Sequence, residues 1–140
     1  MFELTKFVAT RKEEFEQIAR DRKEDFEALR EKGRWTASVY IGPYIVEARL
    51  KSKICEVLKL ERLPMILKTH DLYALVIYAG LLDELKALPR VFANFNTVNL
   101  IHANVSWRYK VADVSHQATS NDLVDWLFHP KDGVVTWLRL

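Results

Sequence analysis

The chain has 140 residues, 49% of them hydrophobic and 29% charged, with a formal net charge of +2. That suits one soluble domain with its own core, residues 1–140, and is too weak a charge to imply nucleic-acid binding by itself. A single cysteine, Cys55, excludes an intrachain disulfide and paired-cysteine metal sites.

The N-terminal stretch MFELTKFVATRKEEFEQ lacks the apolar core of a signal peptide, and no window reaches the roughly 20 apolar residues of a membrane span. A cytoplasmic location with no membrane association is the expectation.

Residues 11–34 mix acids and bases densely around an apolar stripe of Phe15, Ala19, Phe26 and Leu29, with Ile18 beside it and Arg22 interrupting it. The spacing predicts an amphipathic helix that begins before residue 11 and ends at Gly33. Its charges read as a solvated face.

A second helix is predicted from Trp35 to Leu60, carrying two apolar rows. One is Ala37, Ile41, Tyr44, Ala48, Cys55 and Leu58; the other is Val46, Leu50, Ile54 and Val57. A helix apolar on two sides is central to its fold. Arg49, Ser52, Lys53, Glu56 and Lys59 form the remaining, solvated strip. Pro43 removes one backbone hydrogen bond, so a kink near residues 39–43 or a restart at Pro43 is expected. Glu47 and Lys51 sit one turn apart on the apolar surface, where a lone charge would be costly and a pair can satisfy itself.

Pro64 stops this helix, and Thr69 reads as the N-cap of a short third helix, His70 to Ala79, ended by Gly80. Residues 81–101 hold another helical run that Pro89 bends or splits. The stretch HANVSWRYKVADVSHQATS is the least regular. Ser120 then caps a helix through Trp126, and a last turn or two covers 131–139, with a short strand at VVTW as the alternative.

The segment GRWTASVYIGPYIVEARLKSKICEVL, with the core Val46, Glu47, Ala48, Arg49, Leu50, Lys51, resembles the second helix of HEPN (higher eukaryotes and prokaryotes nucleotide-binding) domains. LKTHDL, Leu67 to Leu72, resembles the segment that opens the family's third helix. NFNTVNLIHANVSWRY resembles the next helix and its terminal pair, Arg108 and Tyr109. The resemblance covers most of residues 33–127. It implies an all-α, up-and-down helical bundle, often dimeric, with short extra C-terminal helices here. It also implies a nucleotide or RNA ligand and a nucleotidyltransferase-type protein partner, as in toxin–antitoxin or defence pairs.

Many HEPN proteins are metal-independent ribonucleases that use an arginine and a histidine four to six residues further on. Histidine exchanges protons near neutral pH and arginine stabilises developing phosphorane charge. Here Arg62 to His70 and Arg108 to His116 each enclose seven residues, and the spacing from Arg90 to His102 is longer still. The leading expectation is therefore a non-catalytic module whose ligand or interface residues are Glu47, Lys51, His70, Arg108 and Tyr109. The alternative is a divergent ribonuclease using His70 or His116 with Arg62 or Arg108.

No cofactor and no metal are expected, because His102 and His116 fall in the irregular stretch without an acidic partner at ligand spacing. His70, in the first turn of its helix, would bond an adjacent loop. Cys55 reads as a small buried hydrophobe. Trp35, Trp107, Trp126 and Trp137 read as anchors rather than base-stacking platforms.

Overall fold

The computed structural model describes residues 8–139, and among them the secondary structure is entirely helical. Seven α-helices follow in chain order: α1 (Lys12–Glu31), α2 (Trp35–Val57), α3 (Leu72–Tyr78), α4 (Leu82–Lys86), α5 (Pro89–Ala103), α6 (Gln117–Phe128) and α7 (Val134–Leu138). Short 3-10 turns occupy Met65–Leu67, Val105–Tyr109 and Val114–His116. VVTW is helical, so the strand alternative does not hold. No described helix is long and apolar enough to cross a membrane.

The first helix starts at Lys12 and not before residue 11. The Glu14 carboxylate turns back to accept from the backbone N–H groups of Thr10 and Arg11, satisfying donors that would otherwise extend the helix. Its end is a Schellman closure. Gly33 takes φ +70, the Gly33 N–H bonds Arg30 and the Arg34 N–H bonds Leu29, 2.7 Å. This folds α2 back along α1. Phe15, Ala19 and Phe26 are buried between them, while Ile18 and Leu29 are half-buried.

The second helix is central, as its two apolar rows require, and it touches α1, α3, α5, α6 and α7. It runs unbroken through Pro43 and does not restart there. The preceding Gly42 is closely packed: a Cβ at that position would lie 2.7 Å from Leu123 Cδ2 and 3.3 Å from both Leu127 and Phe26. Gly42 thus gives α2 a close-packing surface for α6 and for Phe26 of α1. The helix ends at Val57 rather than Leu60, and Val57 and Leu58 are exposed. The solvated strip is narrower than its sequence suggests. Ser52 is fully buried, and Arg49 is half-buried with its guanidinium on the carbonyls of Leu138 and Arg139 at the end of α7. A cation there satisfies carbonyls that the helix leaves free.

Pro89 splits the following run by standing at the first position of α5. Ser120 is not a cap: α6 begins three residues earlier, at Gln117, and Ser120 is buried against Ser38. One core cluster takes side chains from every helix, from Phe15 through Leu50, Leu75, Leu85, Phe95 and Leu123 to Leu138.

Candidate functional site

Tyr44, Glu47 and Lys51 stand three and four residues apart, so they share one face of α2. Glu47 and Lys51 are each only 7% exposed. The Lys51 ammonium donates to Glu47 Oε2 at 3.2 Å. Oε1 accepts twice more, from His70 Nδ1 at 2.7 Å and from His102 Nε2 at 2.8 Å. A carboxylate accepts only, so each imidazole carries a proton on the nitrogen that faces it.

Burial alone would push the Glu47 carboxyl up. The hydrogen bonds from His102 and His70 and the charges of Lys51 and His102 outweigh it and hold the carboxyl at about 2. Glu47 is therefore an anion across the physiological range, with three donors around it.

The two histidines arrive by different routes. His102 lies in the last turn of α5, on the stripe formed with Val91, Phe95 and Val98, which is why its side chain is only 2% exposed. The expectation that it falls in an irregular stretch without an acidic partner is overturned: the partner is Glu47, 55 residues away in sequence.

His70 precedes α3 instead of opening it. Asp71 is the N-cap, accepting from the N–H groups of Tyr73 and Ala74, while Thr69 accepts from the N–H of Asp71 one step earlier. Leu63 and Leu67 anchor the connection in the core, and His70 is left with its ring over Glu47 and 65% of its side chain open. Its bond is thus to α2 and not to an adjacent loop.

Tyr44 joins this cluster to Arg108. Its ring meets His102 edge-on at 4.6 Å and His70 at 6.2 Å. Its hydroxyl accepts from the Arg108 guanidinium, which also lies 5.5 Å from the ring centre. Burial, helped by the Glu47 charge, pushes the Tyr44 phenol above its ordinary value against the pull of Arg108.

The cluster floors a groove of about 640 Å3. Arg22, Lys51, Lys68 and Arg108 line it with His70, and among the described residues Glu47 is the one carboxylate there. Arg22, which breaks the stripe of α1, stands at this wall with its Nε 3.2 Å from Asp25 Oδ2. A second cavity of about 470 Å3 shares Tyr40 and Arg108 with the first and is lined by Arg34, Trp35, Trp107 and Lys110 among others.

Of the residues singled out in the sequence, Glu47, Lys51, His70 and Arg108 converge on the groove. Arg62 is exposed and does not line it. His116 bonds Thr36 Oγ1 at 2.8 Å and packs edge-on to Trp107, so it stands behind two lining residues of the second cavity and lines neither cavity itself. His129 Nδ1 accepts two backbone N–H groups of its own turn, from Lys131 and Asp132. Tyr109 is 83% exposed. Cys55 is buried, as expected.

Tyr44 and His102 went unrecognised in the sequence. A signal existed for both: Tyr44 shares the turn of Glu47, and a histidine at the end of the 91, 95, 98 stripe requires a buried acceptor. Scans of the chain against protein-family models, curated proteins and solved structures each found no match.

Proposed function

We propose that this chain is a non-catalytic helical module of HEPN type that binds a nucleotide or RNA in the groove over Glu47. The observation that carries this reading is the charge of that groove. Among the described residues four cationic side chains and one carboxylate line it; Lys51 balances that carboxylate and Asp25 pairs with Arg22, which leaves Lys68 and Arg108 in excess. An anionic ligand is the natural complement, and phosphate contacts draw on such an excess.

The adjoining cavity supplies flat faces. Trp35, Tyr40 and Trp107 offer stacking surfaces for bases, with Arg108 at the junction positioned to hold a phosphate between the two cavities. Exposed Val105, Tyr109, Val111 and Val114 support dimerisation or a protein partner of nucleotidyltransferase type, as in a toxin–antitoxin or defence pair.

A second reading, RNA cleavage, is favoured by one arrangement. A buried carboxylate holds His70 Nδ1 and leaves Nε2 as the ring's other proton-exchanging atom, and Arg108 lies on the same groove. Arg62 and His116 have no part in that version.

The test is titration of a fluorescent single-stranded RNA into the chelator-treated protein at several salt concentrations. Binding should weaken with salt by about 0.7 log units per log unit for each phosphate held. Arg108→Ala and Lys68→Ala should each lower that slope. Binding that is absent at low salt, or indifferent to both substitutions, overturns the proposal. Shortened RNA that stays intact with His70→Ala would move the assignment to the cleavage reading.

A further inference from the structure

Glu47, His70 and His102 come from three separate places: the middle of α2, the connection into α3, and the last turn of α5. Glu47 Oε1, His70 Nδ1 and His102 Nε2 all lie within 4.8 Å of one another. Charge balance does not require this convergence, since Lys51 already neutralises Glu47 through Oε2. Two imidazoles and a carboxylate are a donor set that divalent first-row transition ions accept readily.

We propose that Glu47 Oε1, His70 Nδ1 and His102 Nε2 form a binding site for a divalent transition ion, zinc foremost, with a further coordination position open to the groove.

The fit rests on which of these side chains is fixed and which is free. His102 and Glu47 are buried, while His70 is open to solvent along most of its side chain. The present nitrogen–oxygen contacts of 2.7 and 2.8 Å hold a proton each. An ion with bonds of about 2.0–2.2 Å needs its ligands slightly further apart. The exposed His70 ring can give that space without disturbing the core. A neutral imidazole frees its ligating nitrogen by carrying the proton on the other one.

The outer contacts suit the role. Lys51 fixes the carboxylate through the oxygen that the ion does not use, and the Tyr44 ring against His102 restrains the buried imidazole. Lys51 is also a competing cation. Its charge cancels that of Glu47, so a bound ion would carry its two positive charges uncompensated. The open position therefore favours an anionic ligand, a hydroxide or a phosphate oxygen. The site stands on these three residues whether or not the groove takes a nucleotide, and its failure would leave the nucleic-acid reading untouched.

The test uses the chelator-stripped full chain and zinc in competition with a chromophoric chelator, with cobalt(II) as a spectroscopic probe of nitrogen and oxygen ligation. The expected result is one ion per chain and a cobalt spectrum of low coordination number that changes when inorganic phosphate is added. His70→Ala, at an exposed position, should weaken zinc binding by more than roughly 100-fold, the upper range for losing a mere outer-shell partner. His70→Gln, which keeps a donor towards Glu47, should do the same with the fold unchanged by circular dichroism. His116→Ala should bind as the parent does. Absence of stoichiometric binding, or binding that survives both His70 substitutions, would overturn the proposal.

Discussion

The two halves of α2 both bury polar groups, and they do so to opposite ends. In the N-terminal half, Ser38 and Ser120 share a hydrogen bond of 2.6 Å, Ser38 also bonds the Trp35 carbonyl, and Arg30 reaches Ser120. Apart from the Arg30 guanidinium every one of these partners is neutral, and α6 packs over Gly42. In the C-terminal half, Glu47 gathers an ammonium and two imidazoles, and one of those imidazoles opens on a groove. The first arrangement joins α2 to α6 and α1 and nothing more. The second places ionisable groups where a ligand can reach them. Burial of polar atoms is common to both, so the distinguishing features are net charge, convergence of titratable groups and one exposed member.

The largest effect should come from removing the anion in the charged half. Glu47→Ala would leave Lys51 as a buried, unpaired cation and strip two imidazoles of their acceptor. Breaking a buried pair from one side costs about 3–5 kcal/mol. Urea unfolding should show that loss. Replacing Glu47 and Lys51 together by Met should recover most of it, because no uncompensated charge then remains. A single substitution as mild as one on the surface would show that Glu47 is not the organising charge.

Acid should weaken the same half more gradually. The Glu47 carboxyl sits lower in the folded chain than its ordinary 4.5, at about 2. A depressed carboxyl contributes stability that is fully present above its unfolded value. That stability fades as pH falls from about 4.5 towards 2, and amounts to on the order of 3 kcal/mol. Measured in chelator, the parent should lose more stability than Glu47→Gln across this window. Parallel curves for the two proteins would contradict the assignment.

The comparison also shows which features were readable from the sequence. The helical character, the central place of α2, the split at Pro89 and the glycine stops at Gly33 and Gly80 follow from periodicity and local backbone rules, and all appear. The anomaly of Glu47 and Lys51 was equally visible, because a charge pair on a doubly apolar helix stands out. What surrounded the pair was not. His102 reaches Glu47 only because α5 packs against α2, and no local pattern encodes a contact across 55 residues.

The third helix was started two residues early, at His70 and not Leu72, because Thr69 and Asp71 are both good caps and only the structure shows that Asp71 takes the two free N–H groups. Residues 47–68 hold six basic and three acidic side chains, and the basic ones disperse in three dimensions. Arg49 turns to the end of α7, Lys53 lies 3.9 Å from Glu56, and only Lys51 and Lys68 face the groove. The groove's other cations, Arg22 and Arg108, come from distant helices and turns.

The smallest effect belongs to the neutral half. Ser38→Ala removes one member of the Ser38–Ser120 bond but leaves Ser120 an acceptor for the Arg30 guanidinium at 2.7 Å. A buried hydroxyl that keeps one partner costs little, so the loss should be about 1 kcal/mol, near the net worth of one hydrogen bond. The substitution removes only the Oγ atom, so the void it leaves is small and adds little to that loss. Thermal unfolding can read this difference, and RNA binding in the groove should be unchanged. If Ser38→Ala instead lowered RNA binding as Arg108→Ala is expected to do, the contact under α6 would be coupled to the groove, and the division of α2 into a sealing half and a ligand half would fail.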